Sequence, residues 1–118
     1  MKYLKLQNRL IDFSVQCIEL RKCLGSSYAT DYLSKQLIRS SCSSALNYGE
    51  AISAESKRDF IHKMAIVLKE LRESQSALLI LAKVSDSDFI PQIKSISSES
   101  NELIAIFVVS VKTAQRGL

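Results

Sequence analysis

The stretch that decides the fold is 57–84, which reads KRDFIHKMAIVLKELRESQSALLILAKV. Its apolar residues recur at alternating intervals of three and four, the spacing that lines one face of an α-helix. They are Ile61, Met64, Leu68, Leu71, Leu78 and Ala82, and Phe60, Val67 and Leu81 widen the face. Ser56 stands directly before the stretch, where its hydroxyl can cap the first turn. The spacing therefore predicts a helix over 57–84.

Two further helices are predicted upstream, over about 5–24 and about 29–52. The first has its apolar face at Leu6, Leu10, Phe13, Cys17, Leu20 and Leu24. Ile11 and Ile18 add a second apolar stripe, and Gly25 follows, where a helix end favours positive φ. The second has its apolar face at Leu33, Leu37, Ile38, Cys42, Ala45 and Leu46. Its many serines predict a close helix crossing, because small side chains let two backbones approach.

A fourth helix is predicted over about 88–115. Its apolar face comprises Phe89, Ile93, Ile96, Leu103, Phe107, Val111 and Ala114. Pro91 fits only in the first turn, where its missing N–H costs no hydrogen bond. Short connections make successive helices antiparallel. The sequence thus predicts an all-α protein, an antiparallel up-down-up-down four-helix bundle that occupies 1–118 as one domain.

Composition limits the classes of function. Of the 118 residues, 47% are hydrophobic and 24% are charged, which is typical of a globular protein. No apolar stretch approaches the roughly 20 residues that cross a bilayer. Charges also interrupt the N-terminal region where a secretory signal has its apolar core. We therefore expect a cytoplasmic protein without a membrane role.

Patterns that would support catalysis or metal binding are missing from the sequence. Cys17, Cys23 and Cys42 form no CxxC pair, and the chain has a single histidine, His62. A serine or cysteine nucleophile needs a base and a group that orients the base, and no such set is evident. We expect no metal, no cofactor and no enzymatic activity.

The net charge of +4 arises mainly from the first and third helices. Basic residues outnumber acidic ones by five to two in 1–24 and by six to four in 53–84. Basic side chains bind phosphates by displacing counterions. The candidates for nucleic-acid binding are Lys5, Arg9, Arg58, Lys63, Lys69 and Arg72. A solvated face of mixed charge is the alternative, in which Glu70 and Glu73 form ordinary surface pairs with Lys69 and Arg72.

Three segments in a fixed order carry a family resemblance. They are QLIRSS at 36–41, NYGEA at 47–51, and DFI at 59–61 followed by KELRE at 69–73. In these segments the chain resembles the bacterial four-helix-bundle proteins encoded within 23S ribosomal RNA intervening sequences. That family includes the accessory variability determinant of diversity-generating retroelements.

The resemblance implies an antiparallel bundle that assembles as a homopentamer and presents a basic surface to RNA or DNA. In the retroelement branch it also implies a reverse transcriptase as partner. Arg39, Asn47 and Glu50 fall on matching positions of the second helix, where a structural polar cluster is the leading interpretation. Lys69 and Arg72 match the third-helix segment and are candidates for an exposed basic strip.

Apolar residues in excess of one face per helix predict self-association. The fourth helix is apolar nearly all round, and its candidates for an oligomer interface are Ile104, Ile106, Val108 and Val109. Tyr28, Tyr32 and Tyr48 are amphipathic and also favour a protein interface. Two hypotheses remain open. One is a non-catalytic oligomer that binds nucleic acid or assists a nucleic-acid enzyme, and the other is a structural interaction module with no nucleic-acid role.

Overall fold

The computed structural model describes residues 2–117 and places four long helices in this part of the chain. The helices are α1 (Lys2–Cys23), α2 (Tyr28–Ile52), α3 (Lys57–Val84) and α4 (Ile90–Arg116). A short 3₁₀ turn, Ser87–Phe89, leads into α4. The predicted all-α four-helix fold is confirmed.

Successive helices run antiparallel and form a rod of 47 × 23 × 19 Å. At one end Arg21, near the end of α1, pairs with Asp31, near the start of α2. At the other end Lys57, the first residue of α3, donates a hydrogen bond to the carbonyl of Gly117 after α4. Each of α1 and α3 packs on α2 and α4, so α1 and α3 occupy diagonal corners of the bundle.

Local chemistry sets the helix boundaries. The Ser56 hydroxyl accepts a hydrogen bond from the Asp59 N–H at 3.0 Å, which confirms the predicted cap of α3. Pro91 lies in the first turn of α4, as predicted. The expectation of positive φ at Gly25 is wrong, because no glycine within residues 2–117 adopts it. Helix α1 begins at Lys2, three residues earlier than predicted.

Large apolar side chains from all four helices fill the core. Those that are fully buried include Leu10, Phe13, Leu37, Leu71, Leu78, Ile93, Leu103 and Phe107. Tyr48 of α2 also lies in the core, where its ring meets that of Phe107 edge-on at 5.5 Å. Edge-to-face packing of this kind fixes the ring position of Tyr48.

Helix α2 departs from its predicted apolar face. Leu46 was predicted to face the core but is 70% exposed, whereas Ser40, Ser41 and Ser44 are completely buried. The Ser40 and Ser74 hydroxyls are 2.7 Å apart across the α2–α3 contact. Each serine therefore satisfies its hydroxyl while allowing close backbone approach, as the serine clustering predicted.

Candidate nucleic-acid interface

One outer side of α3 carries a row of exposed basic residues. The row, called the basic stripe below, consists of Arg58, Lys69, Arg72 and Lys83. Their spacings of 11, 3 and 11 residues are close to whole numbers of helical turns. The four side chains therefore share one side of the helix. The 25 residues from Arg58 to Lys83 correspond to about 37 Å along the helix axis.

No side chain of the basic stripe forms an ion pair within residues 2–117. The exposed positions that lie between its members on the same side are His62, Ala65, Ser76, Leu79 and Ile80. None of these is acidic. The stripe thus presents uncompensated positive charge to solvent along most of α3.

Two carboxylates of α3, those of Glu70 and Glu73, face α2. Arg39 of α2 approaches Glu70, with its Nη1 3.4 Å from Oε2, and also pairs with Glu73. The sequence-based pairing of these glutamates with Lys69 and Arg72 is therefore wrong. The reason is rotational: Glu70 is only 8% exposed and points into the α2–α3 contact, where Arg39 reaches both carboxylates.

Two of the other predicted phosphate-binding residues are engaged within the chain. Arg9 bonds to Glu99 at 2.7 Å and to Glu102 at 3.0 Å, so that it joins α1 to α4. Its hydrogen bond to Glu99 raises the pKa of the Arg9 guanidinium, despite some opposing desolvation. Lys63 lies 3.4 Å from Glu50, which joins α3 to α2.

Lys5 is exposed and has no ion pair within the described range. It lies on α1, diagonally across the bundle from α3. The structure therefore brings Arg58, Lys69 and Arg72 together and separates them from Lys5 and Arg9. Lys83 matches no family segment, and only its helical spacing from Arg72 could have indicated that it belongs to the row.

The predicted polar cluster of Arg39, Asn47 and Glu50 does not exist as one group. Asn47 donates hydrogen bonds to the carbonyl and hydroxyl of Ser43, at 2.9 and 3.0 Å, within its own helix. Arg39 and Glu50 instead bond to α3 at separate points, since eleven residues divide them along α2. Arg39 and Glu50 thus connect α2 to α3, whereas Asn47 bonds only within α2.

The interface candidates of α4 are mostly covered by neighbouring helices. Ile104 and Ile106 are partly buried and pack against the core, Val108 is half-buried, and Val109 is 63% exposed. A larger uncovered apolar surface lies on α1. It consists of Leu4, Ile11 and Val15, each about half exposed, and partly buried Ile18, and is called the α1 stripe below.

Two of the three tyrosines of α2 remain at the surface. Tyr28 and Tyr32 are exposed, whereas Tyr48 is buried in the core.

The thiol of Cys17 is also buried, and this burial raises its pKa to about 12. Within residues 2–117, no three His, Cys, Asp or Glu side chains are grouped so that they could hold a metal ion. None of the helices described has the length and apolarity to span a bilayer.

The model of one protein family, the 23S rRNA-intervening sequence proteins, matches residues 2–108. The chain belongs to this family. The fold of this 23S rRNA-intervening sequence protein is also that of a solved structure, a protein with unknown function from the S23 ribosomal protein family of Bacteroides thetaiotaomicron VPI-5482. The two share 32% sequence identity and a TM-score of 0.81 over 95% of this chain and 99% of the other. No curated protein matches this family member.

Proposed function

We propose that this protein is a non-catalytic homo-oligomer that binds nucleic acid through the basic stripe of α3. One observation carries the proposal. Four basic side chains share one side of a helix, and the nearby carboxylates of Glu70 and Glu73 pair with Arg39 of α2 and not with the stripe. The stripe thus keeps its full positive charge.

The dimensions of the stripe suit a phosphate backbone. Its length of about 37 Å is close to one turn of a nucleic-acid duplex, which is about 34 Å for B-form DNA. Each basic side chain that neutralises a phosphate releases counterions and contributes about 0.9 to the slope of log affinity against log salt. Four such contacts predict a slope of about −3.6 for each bound protomer.

The test compares a variant of the stripe with a matched control. We expect Lys69→Gln with Arg72→Gln to weaken binding to a 20-base-pair RNA duplex and to reduce the salt slope by about 2. Fluorescence anisotropy between 50 and 200 mM salt measures both quantities, and a DNA duplex of equivalent sequence measures the preference for RNA.

The control variant is Lys35→Gln with Lys94→Gln. It removes the same charge from exposed lysines of α2 and α4 that have no ion pair among the described residues. If both double variants lower affinity and slope equally, net charge alone explains binding and the basic stripe is not the site.

The α1 stripe supports the oligomeric part of the proposal. Leu4, Ile11, Val15 and Ile18 are spaced by seven, four and three residues, which is the pattern that packs against another helix. We propose that a second copy of the chain covers them. The number of five copies, and a reverse transcriptase as a further protein partner, rest on the resemblance to the accessory variability determinant.

A further inference from the structure

A cavity of about 430 Å³ opens at the end of the bundle where α1 and α3 begin and α4 ends. Its lining is mainly apolar, and it includes the aromatic residues Tyr3, Tyr48 and Phe60. Lys2 and Lys57 contribute positive charge, and Thr113 contributes a hydroxyl. A mainly apolar pocket with a few polar groups is the usual form of a site for a small organic group.

Tyr48 supplies an unused polar group to this cavity. Its side chain is only 3% exposed and is held by the edge-on contact with Phe107. Its hydroxyl forms no hydrogen bond to a residue in 2–117 and keeps some contact with solvent, so it is free to bond to a group that enters the cavity. Burial raises the pKa of Tyr48, with a smaller contribution from nearby Tyr3, so the hydroxyl remains a donor at neutral pH.

The charge at the cavity favours an anionic group. No carboxylate of residues 2–117 lines it, and Glu50, near the same end of the rod, is paired with Lys63. Lys57 donates to the Gly117 carbonyl at 3.1 Å, which holds its ammonium group beside the cavity. Lys57 also directly precedes Arg58, the first member of the basic stripe. The Arg58 end of the basic stripe therefore lies next to the cavity.

We propose that the cavity binds one unpaired nucleotide of the nucleic acid whose backbone lies on the basic stripe. Tyr3 and Phe60 provide ring surface for a base, the Tyr48 hydroxyl can bond to the edge of the base, and Lys2 and Lys57 face its phosphate. Base stacking on aromatic side chains tolerates any base, so the site selects an unpaired end rather than a sequence. This inference rests on the proposed function and adds to it a preference for frayed or overhanging ends.

The experiment compares two RNA duplexes that are identical except for three unpaired adenosines at one 3′ end. We expect wild-type protein to bind the overhang duplex roughly tenfold more tightly than the blunt one by fluorescence anisotropy. Tyr3→Ala should remove most of this preference, and Tyr48→Phe should reduce it several-fold. Neither change should alter affinity for the blunt duplex.

Neither variant should unfold the protein. Tyr3 is about half exposed, and Tyr48→Phe keeps the ring that packs on Phe107. Equal wild-type binding of both duplexes, with a normal salt slope, overturns the nucleotide site and leaves the basic stripe standing. If neither duplex binds, the proposed function fails. The cavity is then tested by titration with adenosine monophosphate while the NMR signals of Tyr3 and Tyr48 are followed, and unchanged signals overturn the inference.

Discussion

The Arg39 guanidinium of α2 bonds to two carboxylates of α3, Glu70 and Glu73. Glu70 is buried, so its charge depends on this partner for compensation. Removing one member of a buried ion pair leaves the other charge desolvated and unpaired, and this costs more than the pair itself contributes. Arg39 therefore compensates the charge of both glutamates at the α2–α3 contact.

We expect Arg39→Ala to lower the free energy of unfolding by about 1–2 kcal/mol, a figure reduced for the partial exposure of Arg39. Urea denaturation measures the change. Lys35→Ala is the matched control, because Lys35 is exposed on the same helix, and it should change the free energy by less than about 0.5 kcal/mol. Equal losses in the two variants would mean that the pairs of Arg39 contribute nothing to stability.

The sequence could not identify this ion pair. Lys69 and Arg72 are neighbours of Glu70 and Glu73 in sequence, and local spacing favours such pairs on an isolated helix. The true partner is 31 residues from Glu70, and it becomes available only when α2 and α3 adopt a particular rotation about their axes. Local spacing contains no information on that rotation.

At the scale of the helix, α2 shows that side-chain size can outweigh polarity in deciding which residues are buried. Ser44 is fully buried and donates a hydrogen bond to the Ser41 carbonyl at 2.6 Å, while Leu46, two residues on, is largely exposed. A helical pattern that counts only apolar residues places Leu46 inside. The core instead accepts small hydroxyl side chains, because these satisfy their own hydrogen bonds along the helix.

Two substitutions in α2 test whether side-chain size decides burial. The one that adds apolar surface should lower the free energy of unfolding, and the one that removes apolar surface should have little effect. We expect Ser44→Leu to lower the free energy of unfolding by about 1–3 kcal/mol, since the larger side chain overpacks a filled contact. Leu46→Ser should change it by less than about 0.5 kcal/mol, because that position is solvated. Thermal or urea unfolding of both variants gives the comparison, and a greater loss for Leu46→Ser would restore the predicted apolar face.

Most helix boundaries could be predicted because they depend on local chemistry. The start of α3 follows from the hydroxyl of Ser56, and Pro91 fixes the first turn of α4. Helix α1 begins earlier than expected, and its first residues, Lys2 and Tyr3, border the same cavity as the last turns of α4. This proximity of opposite ends of the chain leaves no local signal in the sequence.

At the scale of the whole molecule, the uncovered apolar surface has a different position from the predicted one. The apolar run of α4 was expected to lie between subunits, yet Ile104 and Ile106 pack against the core of the same chain. The α1 stripe keeps about half of Leu4, Ile11 and Val15 in contact with water. Burying such surface is the main favourable term in association.

We expect Ile11→Glu with Val15→Glu to dissociate the proposed oligomer, because an interface cannot bury these carboxylates without partners. Light scattering measures the mass of wild type and variant at equal concentration. Val109→Glu on α4 is the matched control and should leave the mass unchanged. If Val109→Glu dissociates the assembly and the α1 variant does not, the interface is on α4, as the sequence indicated.

The separation of charge around the rod also affects how the molecule would meet a polyanion. Acidic groups are tied into the α2–α3 and α1–α4 contacts by Arg39 and Arg9, whereas the basic stripe faces outward. Such an arrangement leaves positive charge without an ion-pair partner along the outer side of α3. If the proposed binding holds, this charge would steer α3 toward the strand before contact, so more collisions would become productive. The same ion pairs that fasten the helices together would thereby raise the association rate constant, most strongly at low ionic strength.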